Sequence, residues 1–457
     1  PWGPGAQNVT LVDNLITQTA TGLYLVGLGE WQTSNDLVVA HNRFIDIDTE
    51  NYYHNGDGHA IGIQGGSGNL YEHNIIDGAG GSGITFYQGP DSKDGQPTES
   101  MHDNTVRYNY VANIVNLDNA NQPKNQHGIE TGGSGYVQGN LSYNNSVYYN
   151  ILINVTNIAL RSKTLVPPKE HGVYQWRYLN NVIVNAGVGF STAYECRGAV
   201  DKPVCFHPEQ VANNVFLHSR NAHHDGWDNA RVDKNGTVPN PISHLHNDWQ
   251  HNVYYPDGPE MFCYGLCAWP GRAPCKNCTD FATFEKDEPH PTYSLLADPK
   301  LADMWSLVAA GMRPRAGSPL LGAGLDVGLR VDFGGAVVPA SGPSIGAFQG
   351  PVAPDGPAAR RLKMDDSAGS AASWFFRAGS SSTGSDGRSY ATAWPTVAAI
   401  QWKAIKAGDT LYLCGLASRG LDIPAEFGGA PNAHVTIDGS CPTGAANGAS
   451  DPVLWVG

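Results

Sequence analysis

The chain has 457 residues, of which 55 are glycine, 30 are proline and only 15% are charged. Its formal net charge of −14 provides no basic surface to neutralise phosphates, so a nucleic-acid partner is not expected. No apolar run reaches the roughly 18 residues that a membrane-spanning helix needs, so a membrane partner is not expected either. The abundance of glycine and proline predicts many short strands joined by tight turns, with little helix.

An asparagine followed by apolar residues recurs along the chain, at Asn14, Asn42, Asn74, Asn109, Asn150, Asn181, Asn214 and Asn252. Successive members are 28 to 41 residues apart. This irregular spacing does not suit helical repeats, but it suits stacked units of short strands whose turns vary in length. Asparagine side chains at one turn position would form a hydrogen-bonded ladder, and asparagine tolerates the left-handed conformation of such turns. We therefore assign these residues to the fold and not to catalysis.

A second short strand is expected after each asparagine. Its inward-facing position is predicted at Leu23, Ile61, Ile84, Ile129, Ile158, Phe190 and Ala222. The residues one and three positions later would face outward, because neighbouring residues of a strand point to opposite faces. Long insertions precede Ile61 and Ile129, and loops of that length can form the walls of a groove beside the outer face.

After Asn252 the repeat gives way to a loop rich in cysteine, proline and glycine (256–290) and then to DPKL, RAGSPLLGAGLDVG and PSIGAFQG. Together with the asparagine repeat, these phrases resemble secreted right-handed parallel β-helix proteins of the glycoside hydrolase and polysaccharide lyase type. The resemblance covers roughly residues 8–350 and implies an all-β solenoid, with main coils and a closing coil in residues 1–350. Because this fold hosts many activities, it does not by itself define the function.

The C-terminal part of the chain is out of order with respect to this resemblance. Residues 351–373 are polar and rich in proline, alanine and serine, which is typical of a linker. Residues 374–457 resemble the start of a β-helix protein, with a first strand, a short capping helix near Ala393–Ile405 and the first coils. We expect a circularly permuted β-helix in which this segment docks on residues 1–30, since an isolated open solenoid would expose an apolar end. A truncated second domain is the alternative.

Eight cysteines fall into three local groups: Cys196 and Cys205; Cys263, Cys267, Cys275 and Cys278; and Cys414 and Cys441. An even number at close spacing predicts disulfides in an exported protein, either extracellular or periplasmic, and the Asn-x-Ser/Thr sequons agree with export. A zinc site made by the central four cysteines is the alternative, although their spacing departs from the usual structural-zinc patterns.

The expected outer face gathers side chains that a purely structural surface does not need. Glu130 and Arg161 lie in consecutive units, and the insertions bring Asp57, His59 and His127 to the same side. Glycoside hydrolysis requires a general acid and a second carboxylate about 5–9.5 Å apart. Asp57 and Glu130 are the expected pair, with His59 and His127 tuning their protonation and Arg161 orienting Glu130 or the substrate.

Substrate-binding residues are expected around this pair, at Gln64, Thr85, Tyr87, Lys163, Tyr194 and Glu195. The sequence thus predicts a monomeric exported enzyme that hydrolyses a polysaccharide or oligosaccharide without a cofactor. Two alternatives stay open: a polysaccharide lyase or uronan epimerase that uses arginine, histidine and tyrosine, and a glycan-binding solenoid without catalysis. Calcium held by Asp57 and Glu130 is a further option, because that ion takes oxygen ligands.

Structural interpretations of the same residues compete with this hypothesis. Asp57 lies in the sequence NGDG, where aspartate is a common turn former. Glu130 and Arg161 in adjacent units can be a surface salt bridge, which stabilises a protein little. The sequence HHDGWD at 223–228 resembles a metal or catalytic cluster, but it has no defined register.

Overall fold

The computed structural model describes residues 7–25, 34–48, 58–87, 101–115, 126–131, 142–164, 176–194, 209–226, 247–264, 277–288, 290–304, 308–351, 372–377, 385–414, 428–430, 433–439 and 454–455. Within these ranges the chain is all-β, with large parallel sheets and a single α-helix, as the composition predicts.

The strands of the first part of the chain are short and follow one another closely. They are β1 (Val9–Val12), β2 (Leu15–Thr17), β3 (Leu23–Leu25), β4 (Val38–Ala40), β5 (Arg43–Ile47), β6 (Ile61–Gln64), β7 (Leu70–Glu72), β8 (Ile75–Ala79), β9 (Ile84–Tyr87), β10 (Met101–His102), β11 (Thr105–Arg107), β12 (Tyr110–Ile114), β13 (His127–Thr131), β14 (Ser142–Tyr143) and β15 (Asn145–Tyr148).

The later part adds two long strands and the helix α1 (Phe281–Asp287). The strands are β16 (Ile151–Thr164), β17 (Trp176–Leu179), β18 (Val182–Tyr194), β19 (Gln210–Ala212), β20 (Val215–Leu217), β21 (Asn221–Gly226), β22 (Asp248–Gln250), β23 (Val253–Tyr255), β24 (Phe262–Tyr264), β25 (Asn277–Thr279), β26 (Leu295–Leu296), β27 (Ser373–Arg377), β28 (Thr410–Cys414), β29 (Val435–Asp438) and β30 (Leu454–Trp455). Short 3-10 turns occupy Ala309–Met312, Val397–Ala399 and Trp402–Ala404.

Strands of successive units pair in parallel and form three columns. The first column is an 11-stranded sheet in the order β22-β19-β17-β15-β11-β7-β4-β1-β29-β28-β27. The second and third columns share a 17-stranded sheet, because β16 and β18 run through both. The second column contains β2, β5, β8, β12, the first parts of β16 and β18, β20 and β23. The third contains β3, β6, β9, β13, the second parts of β16 and β18, β21 and β24.

The predicted asparagine ladder is confirmed from Asn14 to Asn252. The side-chain amide of each of the first seven asparagines donates to the side-chain oxygen of the next at 2.9–3.1 Å, and that of Asn252 donates to the backbone oxygen of Val211. The same oxygen accepts the backbone N–H of the donating asparagine. Each unit is thereby bonded to the next at one fully buried position, which sets the register of the whole stack.

The left-handed conformation belongs to the residue before each ladder asparagine, and not to the asparagine as predicted. These residues, with φ of 52–59°, are Asp13, His41, His73, Tyr108, Tyr149, Asn180, Asn213 and His251. The turn ends before the asparagine, because the asparagine amide has to point along the stack. The preceding residue therefore makes the turn, and its side chain can be an aromatic or imidazole ring. The rings of His41, His73, Tyr108 and Tyr149 stack in sequence. Burial lowers the pKa of His73 to about 4, and the neighbouring His41 adds to this shift.

Apolar side chains fill the space between the columns. The largest fully buried ones include Phe44, Tyr71, Phe86, Trp176, Tyr178, Phe190, Phe216 and Tyr254. At one end of the stack, α1 packs on this core, with Phe284 stacked on Phe262 at 4.1 Å between ring centroids. The sequence predicted only a loop at 256–290, because proline and glycine surround the short helical segment. The disulfide Cys263–Cys278 joins this segment to the last strands.

The C-terminal strands extend the first column beyond β1. β29 pairs with β1 in parallel, with Val435 opposite Val9, and β28 and β27 follow in the same sheet. β30 pairs with β2 at Leu15. The predicted capping helix near Ala393–Ile405 is wrong, since two 3-10 turns replace it. Each turn is followed by one buried isoleucine, Ile400 or Ile405, whose backbone is extended.

Residues 308–350 add no strand to either large sheet, whereas the resemblance implied a closing coil. They pack on the outer face of the second column and form a second hydrophobic core there. The strands contribute Ile151, Val182, Val215 and Leu217, and the segment contributes Met312, Leu320, Ile345 and Phe348. The outer face of the second column is therefore covered by the chain itself from β12 to β23.

Candidate functional site

The outer face of the third column carries the predicted site, and its register differs from the prediction at β16. Ile129 pairs with Leu160 and not with Ile158. The corner within β16 contains a bulge, which makes it longer than the spacing of the other units predicts. Glu130 is therefore directly opposite Arg161 on the neighbouring strand. Glu130 and Arg161 therefore lie closer together than the predicted alignment indicated, in which Arg161 was two positions further along its strand.

The register is also shifted by one residue at β21. Phe190 pairs with His223 and not with the predicted Ala222, so His224 lies opposite Ser191. For residues 223–226 only the strand backbone is described. In the part of the chain that the structure describes, no group of three or more histidine, cysteine, aspartate or glutamate residues could hold a metal ion.

Four buried polar side chains meet on this outer face, and we call them the outer cluster: Thr85, His127, Glu130 and Arg161. The Nη1 atom of Arg161 lies 3.3 Å from Glu130 Oε1 and 2.8 Å from His127 Nε2. Thr85 Oγ1 donates to the other carboxylate oxygen, Glu130 Oε2, at 3.3 Å. All four residues are at most 2% exposed. A carboxylate is thus held between a cation and a hydroxyl.

The corner between the second and third columns puts His127 and Glu130 on the same face. A Cβ atom at Gly128 would lie 2.5 Å from Leu152 Cδ2, so this residue faces the core and has no space for a side chain. Ile129 also belongs to the core. With two consecutive inward residues between them, His127 and Glu130 both face outward, and one guanidinium contacts both.

The contacts define the protonation of the two histidines. A guanidinium donates hydrogen bonds and accepts none, so His127 Nε2 must accept from Arg161 and the imidazole is neutral, with its proton on Nδ1. His59 Nδ1 accepts the backbone N–H of Ser82 at 2.9 Å, which leaves its proton on Nε2. Ser82, two residues before β9, lies between the two histidines in the stack, so they are two strand spacings, or about 10 Å, apart.

A second buried polar group lies on the opposite, inward face of the same strands, and sequence reasoning missed it. We call Thr131, Ser162, Tyr178 and Glu209 the inner cluster. Glu209 Oε1 accepts the hydroxyl of Ser162 at 2.7 Å, and Oε2 accepts the backbone N–H of Trp176 at 2.9 Å. The hydroxyls of Thr131 and Tyr178 are hydrogen-bonded to each other. Burial raises the pKa of Tyr178 well above its ordinary value, and the charge of Glu209 contributes.

A second asparagine ladder explains the position of Glu209. Asn69 and Asn104 precede strands of the first column, and Asn145 begins one. The side-chain oxygens of Asn104 and Asn145 accept backbone N–H groups of the preceding unit. Glu209 takes the same role towards Trp176. The sequence signal for Glu209 is therefore an acidic residue at a ladder position. This second ladder has fewer members than the first, so its pattern is harder to identify.

The remaining predicted site residues are only partly described. Asp57 and Glu195 lie outside the described residues. Gln64, Tyr87, Lys163 and Tyr194 have defined strand backbones, with Gln64 opposite Tyr87 and Lys163 opposite Ala193, but their side chains are not described.

The cysteines favour disulfides over zinc. Cys263 and Cys278 are bonded to each other, which excludes a zinc site made by all four central cysteines. Cys414 is also disulfide-bonded. None of the helices in the described ranges has the length and apolar character needed to cross a bilayer.

No protein-family model matches the chain, and no curated protein matches its sequence. The residues of the site therefore carry the functional conclusion.

Proposed function

We propose that the protein is a carbohydrate-active enzyme on a circularly permuted right-handed parallel β-helix, and that it hydrolyses glycosidic bonds in a groove over the outer cluster. Three parallel columns joined by an asparagine ladder support the solenoid. The pairing of β29 with β1 supports the permutation, because the last part of the chain then precedes the first in the stack. Export agrees with the disulfides.

The buried Glu130–Arg161 pair is the observation that carries the catalytic proposal. Removing two charges from water costs more than a simple ion pair returns, so a buried pair is weak evidence for a stabilising role. The outer face of a solenoid needs only exposed polar residues. On that face a guanidinium instead contacts both a carboxylate and a neutral imidazole, and these are groups that acid–base chemistry uses.

Glu130 is assigned the role of the unprotonated carboxylate. The Arg161 guanidinium and the Thr85 hydroxyl both stabilise the charged form, so this group acts as base or nucleophile. As base, it takes a proton from a water molecule whose oxygen forms a bond to the anomeric carbon. The acid protonates the glycosidic oxygen while the carbon–oxygen bond breaks. Asp57, from the insertion before β6, is proposed as that acid.

The test is product analysis on soluble β-glucan, xylan, polygalacturonate and alginate, with the variants Glu130→Gln and Asp57→Asn. Each variant should lose about 10²–10⁴-fold in rate on whichever polysaccharide the parent cleaves. Glu72→Gln is the matched control, because the buried Glu72 forms an ion pair with the partly exposed Arg107 on the first column, at 2.6 Å. A parent-like rate in Glu130→Gln would reject the catalytic assignment.

A lyase is the second candidate, and the neutral state of His127 favours it. Once its Nε2 is released from Arg161, the neutral imidazole can remove the C5 proton of a uronate while Arg161 neutralises the sugar carboxylate. The C4–O4 bond breaks, and the departing oxygen takes a proton from water. This elimination creates an unsaturated uronate that absorbs in the near ultraviolet. Hydrolysis creates new reducing ends without that absorbance, so the two reactions are separated in a single assay.

A further inference from the structure

Tyr24 lies on the outer face of the third column, in line with the outer cluster. It pairs with Gly62, which pairs with Thr85, which in turn pairs with Glu130. In each of these strands the residue lies one position after the inward-facing residue, which is Leu23 in β3. The side chains therefore share the outer face. Tyr24 thus belongs to the same surface as the proposed catalytic groups.

The ring of Tyr24 rests on the backbone of the next strand. A Cβ atom at Gly62 would lie 2.4 Å from Tyr24 Cδ2 and 2.7 Å from Cε2, so the ring occupies the space that any other residue at 62 would fill. Tyr24 is nevertheless 47% exposed. The glycine therefore holds an aromatic ring in a fixed place while much of the ring surface stays in contact with solvent.

The distance from this ring to the outer cluster suits a neighbouring sugar of one substrate chain. The ring belongs to Tyr24 of β3 but lies over Gly62 of β6, and β6 is two strand spacings, or about 10 Å, from Glu130 on β13. An aromatic ring presents an apolar face with a polar edge, and it packs on the apolar face of a pyranose. A chain running across the strands would touch Tyr24 and Glu130 at once.

We propose that Tyr24, held by Gly62, is a carbohydrate-stacking subsite that binds a pyranose ring of the polysaccharide at a distance from the bond that is cleaved. The subsite rests on the proposed function. It makes the substrate run along the column and favours long chains over short ones, because a short oligosaccharide at Glu130 does not reach the ring.

The experiment measures binding separately from cleavage. Tyr24→Ala, Tyr24→Phe and Gly62→Ala are each made in the Glu130→Gln background and run in native gels containing soluble β-glucan, xylan, polygalacturonate or alginate. Tyr24→Ala should bind between about twofold and about tenfold more weakly to the polysaccharide that retards Glu130→Gln. Gly62→Ala should weaken binding too, because its Cβ displaces the ring. Tyr24→Phe keeps the ring and should bind as Glu130→Gln does.

Two results would overturn the subsite. One is equal retardation of Tyr24→Ala and its Glu130→Gln parent on every polysaccharide, in proteins with the same thermal unfolding midpoint. The other is no retardation of the parent by any of these polysaccharides. If Glu130→Gln still cleaves the polysaccharide but Tyr24→Ala binds it weakly, the catalytic assignment fails and the subsite stands.

Discussion

The outer and inner clusters lie on opposite faces of β13 and β16, are equally buried, and differ in the chemistry of their contacts. In the inner cluster, the carboxylate of Glu209 accepts a backbone N–H and a hydroxyl, as a ladder asparagine would. In the outer cluster, the carboxylate of Glu130 meets a guanidinium that also contacts a neutral imidazole. The first arrangement completes the hydrogen bonds of the stacked strands, whereas the second brings together the kinds of group that acid–base chemistry uses.

This difference separates two uses of a buried acid in one set of stacked parallel strands. A buried acceptor that satisfies backbone donors is part of the fold, and its loss is a loss of stability. A buried ion pair on the outer face returns little net stability and so needs another reason to be present. The clusters should therefore respond differently to substitution, and the strongest response should come from the charged residue that joins the outer groups.

Arg161→Ala should have the largest effect on stability. It leaves the Glu130 carboxylate buried without its cation, so the free energy of unfolding should fall by about 3–5 kcal/mol, as measured by urea denaturation. Activity should be lost as well. Arg107→Ala, which removes the partner of buried Glu72, is the control for an ion pair away from the site. An Arg161→Ala protein with parent-like stability would mean that the pair does not form.

Glu209→Ala should affect stability but not chemistry. The backbone N–H of Trp176 and the hydroxyl of Ser162 lose their acceptor in the core, which should cost about 1–3 kcal/mol. The rate per folded molecule should equal that of the parent. A large fall in kcat with an unchanged unfolding midpoint would show that the inner cluster takes part in the reaction and would remove the distinction between the two faces.

Tyr178→Phe should have the smallest effect, and it should depend on pH. Burial raises the pKa of Tyr178 in the folded protein well above 10.0, so only the unfolded chain ionises this phenol just above pH 10. The parent therefore loses stability as the pH rises past 10, and this contribution is complete at lower pH. Tyr178→Phe should lose less stability than the parent between pH 9 and pH 11. Parallel stability curves over that range would contradict the assignment.

The parts of the fold that follow from the asparagine repeat could be predicted from the sequence. The ladder asparagines recur in every unit, so Asn14 to Asn252 could be assigned without a structure. The outer cluster was predicted because Glu130 and Arg161 stand at outward positions beside inserted loops. The predicted inward position at Ile158 was wrong, because the extra length of the corner within β16 has no local sequence pattern.

Other features depend on contacts between distant residues, which a local sequence pattern does not identify. Glu209 replaces an asparagine of the shorter ladder, and only the pairing with Trp176 and Ser162 reveals its role. Helix α1 is a single short segment between proline-rich and glycine-rich stretches, so its apolar residues gave no helical period. The packing of 308–350 on the second column arises from a surface that becomes apolar only when neighbouring strands are aligned.

The central claim is that Glu130 supplies the reacting carboxylate, and chemical rescue tests it most directly. Glu130→Ala opens a space between Arg161 and Thr85 that a small carboxylate such as formate can occupy. We predict that Glu130→Ala is inactive on the polysaccharide that the parent cleaves, that added formate restores a measurable rate, and that formate does not change the rate of the Glu72→Ala control. Parent-like activity of folded Glu130→Ala without formate would contradict the account.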